Sequence, residues 1–124
     1  MLRWLKRTGP DMDLEFVRLC EIANEEGERA RAVLRAAGQA QLVEGVDIFS
    51  RLLEGDKKAV LSGQILEGPP NGGIGIAGAL SDWNFPGEAE PFERAAANAE
   101  RFWREHRFHI RRDARKRLRS SGRG

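Results

Sequence analysis

Nine cations crowd one stretch near the C-terminus: Arg101, Arg104, Arg107, Arg111, Arg112, Arg115, Lys116, Arg117 and Arg119. A guanidinium is a planar, permanently charged fork that matches phosphate and carboxylate geometry. The chemistry these residues can do together is therefore anion binding. Some of the pattern is ordinary, because cations near a helix C-terminus are favoured by its dipole. The density is not, since like charges at helical spacing repel one another unless an anion meets them. Arg104, Arg107, Arg111, Arg112, Arg115, Lys116, Arg117 and Arg119 are the candidate anion- or nucleic-acid-binding set. Six of them on duplex phosphates would give log K a slope of about −5 against log salt.

Other constellations do less. Gly73-Ile74-Gly75-Ile76-Ala77-Gly78 is a formal GxGxxG. Dinucleotide binding needs those glycines between a strand and a helix. Here Pro69-Pro70-Asn71 stands where the strand must end, and the chain lacks room for the sheet. The segment reads instead as a glycine-rich loop whose Ile74, Ile76 and Leu80, with Trp83 and Phe85, dock a partner. His106 and His109 are one helical turn apart, with Glu105 beside them and Cys20 far off, but two ligands do not make a metal site. His106 falls on an apolar stripe, as a core-edge histidine would. Asp82 next to Trp83 is the one carboxylate in an aromatic setting. No Ser/His/Asp or Cys/His arrangement is readable from the spacing. The expectation is a non-enzyme with no metal and no cofactor.

Residues 39–55 carry a partial resemblance. Gln39-Ala40-Gln41-Leu42-Val43-Glu44-Gly45-Val46 resembles the first helix and turn of repressor-type DNA-binding domains. Ser50-Arg51-Leu52-Leu53-Glu54-Gly55 resembles the end of their recognition helix. The resemblance implies a dimeric DNA-binding regulator with a degenerate helix-turn-helix. Against it, about two residues are missing from the spacing, and Glu44 and Asp47 would face phosphates. A continuous amphipathic helix accounts for the same residues.

Composition bounds these readings. The chain has 124 residues, one cysteine and no tyrosine, so it has the size of one domain and cannot form an internal disulfide. No apolar run is long enough to cross a membrane. The basic N-terminus, Met1 to Arg7, lacks the apolar stretch of a secretory signal. A cytoplasmic protein, or one carried within a larger particle, is expected. The net charge of +2 conceals a polarity: residues 1–10 carry +3, residues 11–100 carry −9 and residues 101–124 carry +8. Such asymmetry points to a polyanionic partner or to docking between copies.

The elements that must position the cations are helical. From Leu14 to Ala37 the apolar residues Phe16, Leu19, Cys20, Ala23, Ala30, Leu34 and Ala37 form one stripe, with Asp11 or Asp13 as cap and Gly38 as stop. Gly27 lies mid-helix and is a possible break near Asn24. A second helix spans about Gln39 to Glu54 and ends at Gly55, where Asp56 can cap a further element. That element, Lys57 to Glu67, reads as short helix or hairpin. Residues 68–91 are a Gly/Pro-rich connection, ten of 24 being Gly or Pro. A third helix runs from about Pro91 to Leu118, with residues 119–124 as a flexible tail.

The expected fold is mostly α: a small three- to four-helix domain over residues 1–118, with a basic arm at 1–12, the long connection, and an extended basic C-terminal helix. Phe16, Leu19, Leu34, Val46, Phe49, Leu53, Phe92, Trp103 and Ile110 would build its core. The function expected is that of a small interaction or assembly protein, of the kind found in a phage-like particle or mobile element. A protein partner or homo-oligomer, and nucleic acid, are the expected partners. Truncation after Arg111 should then abolish binding and leave helix content nearly intact.

Overall fold

The first helix, α1 (Met12–Ala36), repeats buried residues at steps of four and three: Phe16, Cys20, Ala23, Gly27, Ala30 and Leu34. That period keeps one stripe turned inward along the whole helix. The structure, a computed structural model, describes residues 11–63 and 87–122. Over them the chain forms three α-helices and a short 3-10 turn, without strands among the described residues. The other two helices are α2 (Ala40–Leu61) and α3 (Glu90–Gly122), the latter preceded by the 3-10 turn Gly87–Ala89. The N-terminal arm at 1–10, most of the Gly/Pro-rich segment and residues 64–67 lie outside the described residues.

Helix α1 is the middle element. It packs along both α2 and α3, which meet each other only slightly. Both neighbours run antiparallel to it. Arg31 is within hydrogen-bond reach of Ser50 and Lys57 pairs with Glu21 across α1 and α2, while Gly27 meets Phe92 and Arg117 meets Asp13 across α1 and α3. All nine expected core residues are buried except Leu19, which is half-buried. Phe16 and Trp103 meet at tilted rings, 5.4 Å between centroids.

The centre of α1's stripe is lined by small residues, and Gly27 is the extreme case. A Cβ there would lie 2.7 Å from Ser50 Oγ on α2 and 3.2 Å from the Phe92 ring on α3. Gly27 therefore does not break the helix. It lets both flanking helices approach at the same level. At its far end α1 closes with a Schellman turn: Gly38 takes φ 72°, Gly38 N–H donates to Arg35 O, and Gln39 N–H donates to Leu34 O.

Helix α2 departs from the expected boundaries. It continues through Gly55 to Leu61, and the left-handed Gly63 (φ 81°) ends it. A lone helical glycine costs about 1 kcal/mol, which burial of Val60 in the next turns offsets. Asp56 is a buried mid-helix residue rather than a cap, and residues 57–61 are helix rather than hairpin. The helix-turn-helix geometry is likewise absent: residues 40–61 are one helix, with no turn between Gly45 and Ser50. Helix α3 runs past Leu118 to Gly122, and Leu118 closes over the bare Cα of Gly63.

The lone cysteine sits inside the α1 stripe. Burial, with the Asp56 carboxylate as a second cause, pushes the Cys20 thiol far above its usual range. A raised folded-state value means the protonated form is favoured by folding. That contribution is complete below the unfolded thiol's pKa of about 8.5 and declines above it, by up to about 1.4 kcal/mol per pH unit. Denaturant titrations between about pH 8.5 and 10 should show a steeper loss of stability in the parent than in Cys20→Ala.

Two of the helical glycines, Gly27 and Gly55, should respond oppositely to alanine. At Gly55 nothing lies within 4 Å of an added Cβ, so Gly55→Ala should stabilise by about 0.5–1 kcal/mol. At Gly27 the same propensity gain meets a fully buried Phe92 that cannot yield, and overpacking costs about 1–3 kcal/mol. Gly27→Ala should therefore destabilise by about 1 kcal/mol net. Urea unfolding followed by circular dichroism reads both.

Candidate functional site

The basic residues divide once α3 is seen in place. Its buried stripe, Phe92, Ala96, Ala99, Trp103, Ile110 and Ala114, faces α1. The opposite face carries the arginines, because residues three and four apart share a side of a helix.

Arg117 belongs to the fold. Its Nε donates to Asp13 Oδ2 at 2.8 Å and its Nη2 to Asp13 Oδ1 at 3.0 Å. Nη2 also lies 3.2 Å from Asp11 Oδ1. The hydrogen bond to Asp13 holds the guanidinium above even its usual high pKa, against a partial loss of hydration. Asp13 is only 1 % exposed, so its charge must be answered inside the protein. Beside this pair, Met12 N–H donates to Asp113 Oδ2 at 2.9 Å. The first amide of α1 is thus capped by a carboxylate of α3, and the N-cap residue Asp11 makes no side-chain cap. Of the two expected caps, Asp11 holds the N-cap position without a side-chain bond, while Asp13 Oδ1 accepts the first-turn amide of Leu14 at 2.8 Å.

This clamp changes the reading of the tail. Beyond Arg111 lie Asp113, Ala114 and Arg117, all engaged with the body. Truncation after Arg111 would remove these contacts, so a loss of helix content is to be expected rather than its retention. Arg117 also leaves the set of candidate anion-binding residues, because its fork is already filled.

Other arginines are partly occupied. Arg104 pairs with the buried Glu100 at 3.4 Å, Arg112 with Asp113 at 3.1 Å, and Arg111 lies 5.8 Å from the centre of the Trp103 ring. Arg107, Arg115, Lys116 and Arg119 are exposed and form no ion pair among the described residues. Arg111, Arg112, Arg115 and Arg119 line an open hollow of about 370 Å³ with Phe108, a side chain 70 % exposed. Phe108 meets His109 edge-on, and His106 meets Phe102 at tilted rings, 4.6 Å between centroids, at the edge of the core as expected.

Among the described residues no group of three His, Cys, Asp or Glu side chains is placed to hold a metal ion. No described helix is long and apolar enough to cross a membrane. The expected docking residues Ile74, Ile76, Leu80, Trp83 and Phe85 lie outside the described residues, as does Asp82. Two features escaped the sequence reading. Asp113 was signalled by being an isolated acid in a basic run, three residues after the buried Ile110. Phe108 was signalled by lying off the apolar stripe, flanked by arginines one turn to either side.

The chain matches no protein-family model, no curated protein and no solved structure.

Structural and exposed arginines should separate in stability measurements. Arg117→Ala strands the buried Asp13 carboxylate and should cost about 2–3 kcal/mol. Arg115→Ala should stay within about 0.5 kcal/mol of the parent. Chemical denaturation of both variants, with Asp13→Asn and Asp13→Asn/Arg117→Ala to complete a double-mutant cycle, checks this.

Proposed function

We propose that this is a non-enzymatic interaction protein that holds a polyanionic partner on the outer face of α3. The observation that carries the reading is the state of Arg107, Arg115, Lys116 and Arg119: exposed, and without an ion pair among the described residues of a chain rich in carboxylates. A face serving only solubility mixes both signs of charge. From Arg107 to Arg119 the exposed charges are all positive, the one acid of that stretch, Asp113, being buried, and such an arrangement steers and binds an anion. The acidic body cannot compete for the same partner. Work inside a larger assembly, such as a phage-like particle or mobile element, suits the small size and split charge. The 68–91 segment would then supply a second, protein-facing contact.

Size-exclusion chromatography with light scattering tests the reading, at about 50 and 200 mM salt, with and without duplex DNA. The expected outcome is a shift with DNA that salt reverses, and that Arg115→Glu/Arg119→Glu abolishes without unfolding the protein. A discrete oligomer that ignores DNA would mean instead that acidic body and basic face serve each other across copies.

A further inference from the structure

We infer that the polyanion is a single-stranded nucleic acid, with a base stacked on Phe108 and its backbone phosphates held by the arginines around that ring. The inference rests on the polyanion reading above and adds the class of ligand. Three observations carry it. First, Phe108 is the most exposed large apolar side chain among the described residues, and the hollow it lines is otherwise bounded by Arg111, Arg112, Arg115 and Arg119. Arg104, Arg111 and Arg112 stand one turn away and Arg115 two turns away along the same side of the helix, with the exposed Glu105 the one acid within a turn of the ring. An aromatic ring set in a positive stripe is the combination used to grip unpaired strands, where the ring takes a base and the cations track the backbone.

Second, the alternatives use only half of this arrangement. In a duplex both faces of nearly every base are already stacked, so a surface ring gains nothing while the arginines alone bind phosphate. An acidic protein surface answers the arginines, but it must also carry an apolar pocket among its carboxylates to take the ring. An unpaired strand satisfies both, because its bases can splay and its phosphates remain in reach.

Third, the face is built from arginine, as are 17 of the chain's 21 cations. Point-charge neutralisation is done as well by lysine. Guanidinium planes also stack on bases and fork onto phosphate oxygens. The open hollow bounded by Phe108, Arg111, Arg112, Arg115 and Arg119 leaves the ring accessible from solvent.

The test is fluorescence anisotropy with three probes at two salt concentrations: labelled oligothymidylate of about twenty nucleotides, a mixed-sequence duplex of the same length, and poly-glutamate. The proteins are the full chain, Phe108→Ala, Phe108→Tyr and Arg115→Glu/Arg119→Glu. Each variant is first checked for parent-like helix content, which exposed positions should preserve. The expected result is that oligothymidylate binds more tightly than duplex, that Phe108→Ala weakens it about tenfold and leaves the duplex nearly unchanged, and that Phe108→Tyr retains affinity. If Phe108→Ala leaves oligothymidylate binding within about twofold while Arg115→Glu/Arg119→Glu still abolishes it, the stacking inference falls and the polyanion reading stands. If only poly-glutamate binds, the nucleic-acid inference falls and an acidic protein takes its place. If none of the three probes binds, both readings fall together.

Discussion

A carboxylate that is almost wholly removed from water, Asp13, dictates where the C-terminal half of α3 must lie. An isolated ion in that position would be costly, and Arg117 meets it with two hydrogen bonds across 104 residues of chain. Asp113 adds the cap on Met12 N–H one turn away. Without these contacts the last three turns of α3 would carry too few apolar residues to stay on the body. With them, the helix is held against α1, and its opposite face is turned to solvent.

The same helix α1 faces a packing demand from both sides. Two flanking helices that barely touch each other must both bury their stripes on it. A row of small residues, with Gly27 at the tightest point, allows both to come close. Bulk comes from the partners instead: Val46, Phe49 and Leu53 from α2, Phe92 and Trp103 from α3. A small core can be dense when large and small residues oppose each other in this way.

Chemically similar arginines thus have two fates on one helix. Arg117 is used inside the fold, Arg104 and Arg112 lean on neighbouring acids, and Arg107, Arg115 and Arg119 remain turned outward. The functional reading depends on that division. A charge count along the chain weighs all of them equally, whereas Arg117 cannot leave its place without loosening the structure, and Arg111, Arg112, Arg115 and Arg119 gather around Phe108.

The sequence by itself determined the helical class, the three buried stripes and the stop at Gly38, because apolar spacing and a glycine able to take positive φ are local properties. It also determined the charge polarity and the position of the basic stretch. The end of α2 was not legible: Gly55 and Gly63 are the same residue type. Burial of Val60 and the approach of Leu118 from α3 decide which one stops the helix. Nor was the clamp legible, since Asp13 and Arg117 stand at opposite ends of the described chain. Only the tertiary structure could decide which arginines are structural and which face solvent, because that depends on which carboxylates the antiparallel packing brings within reach.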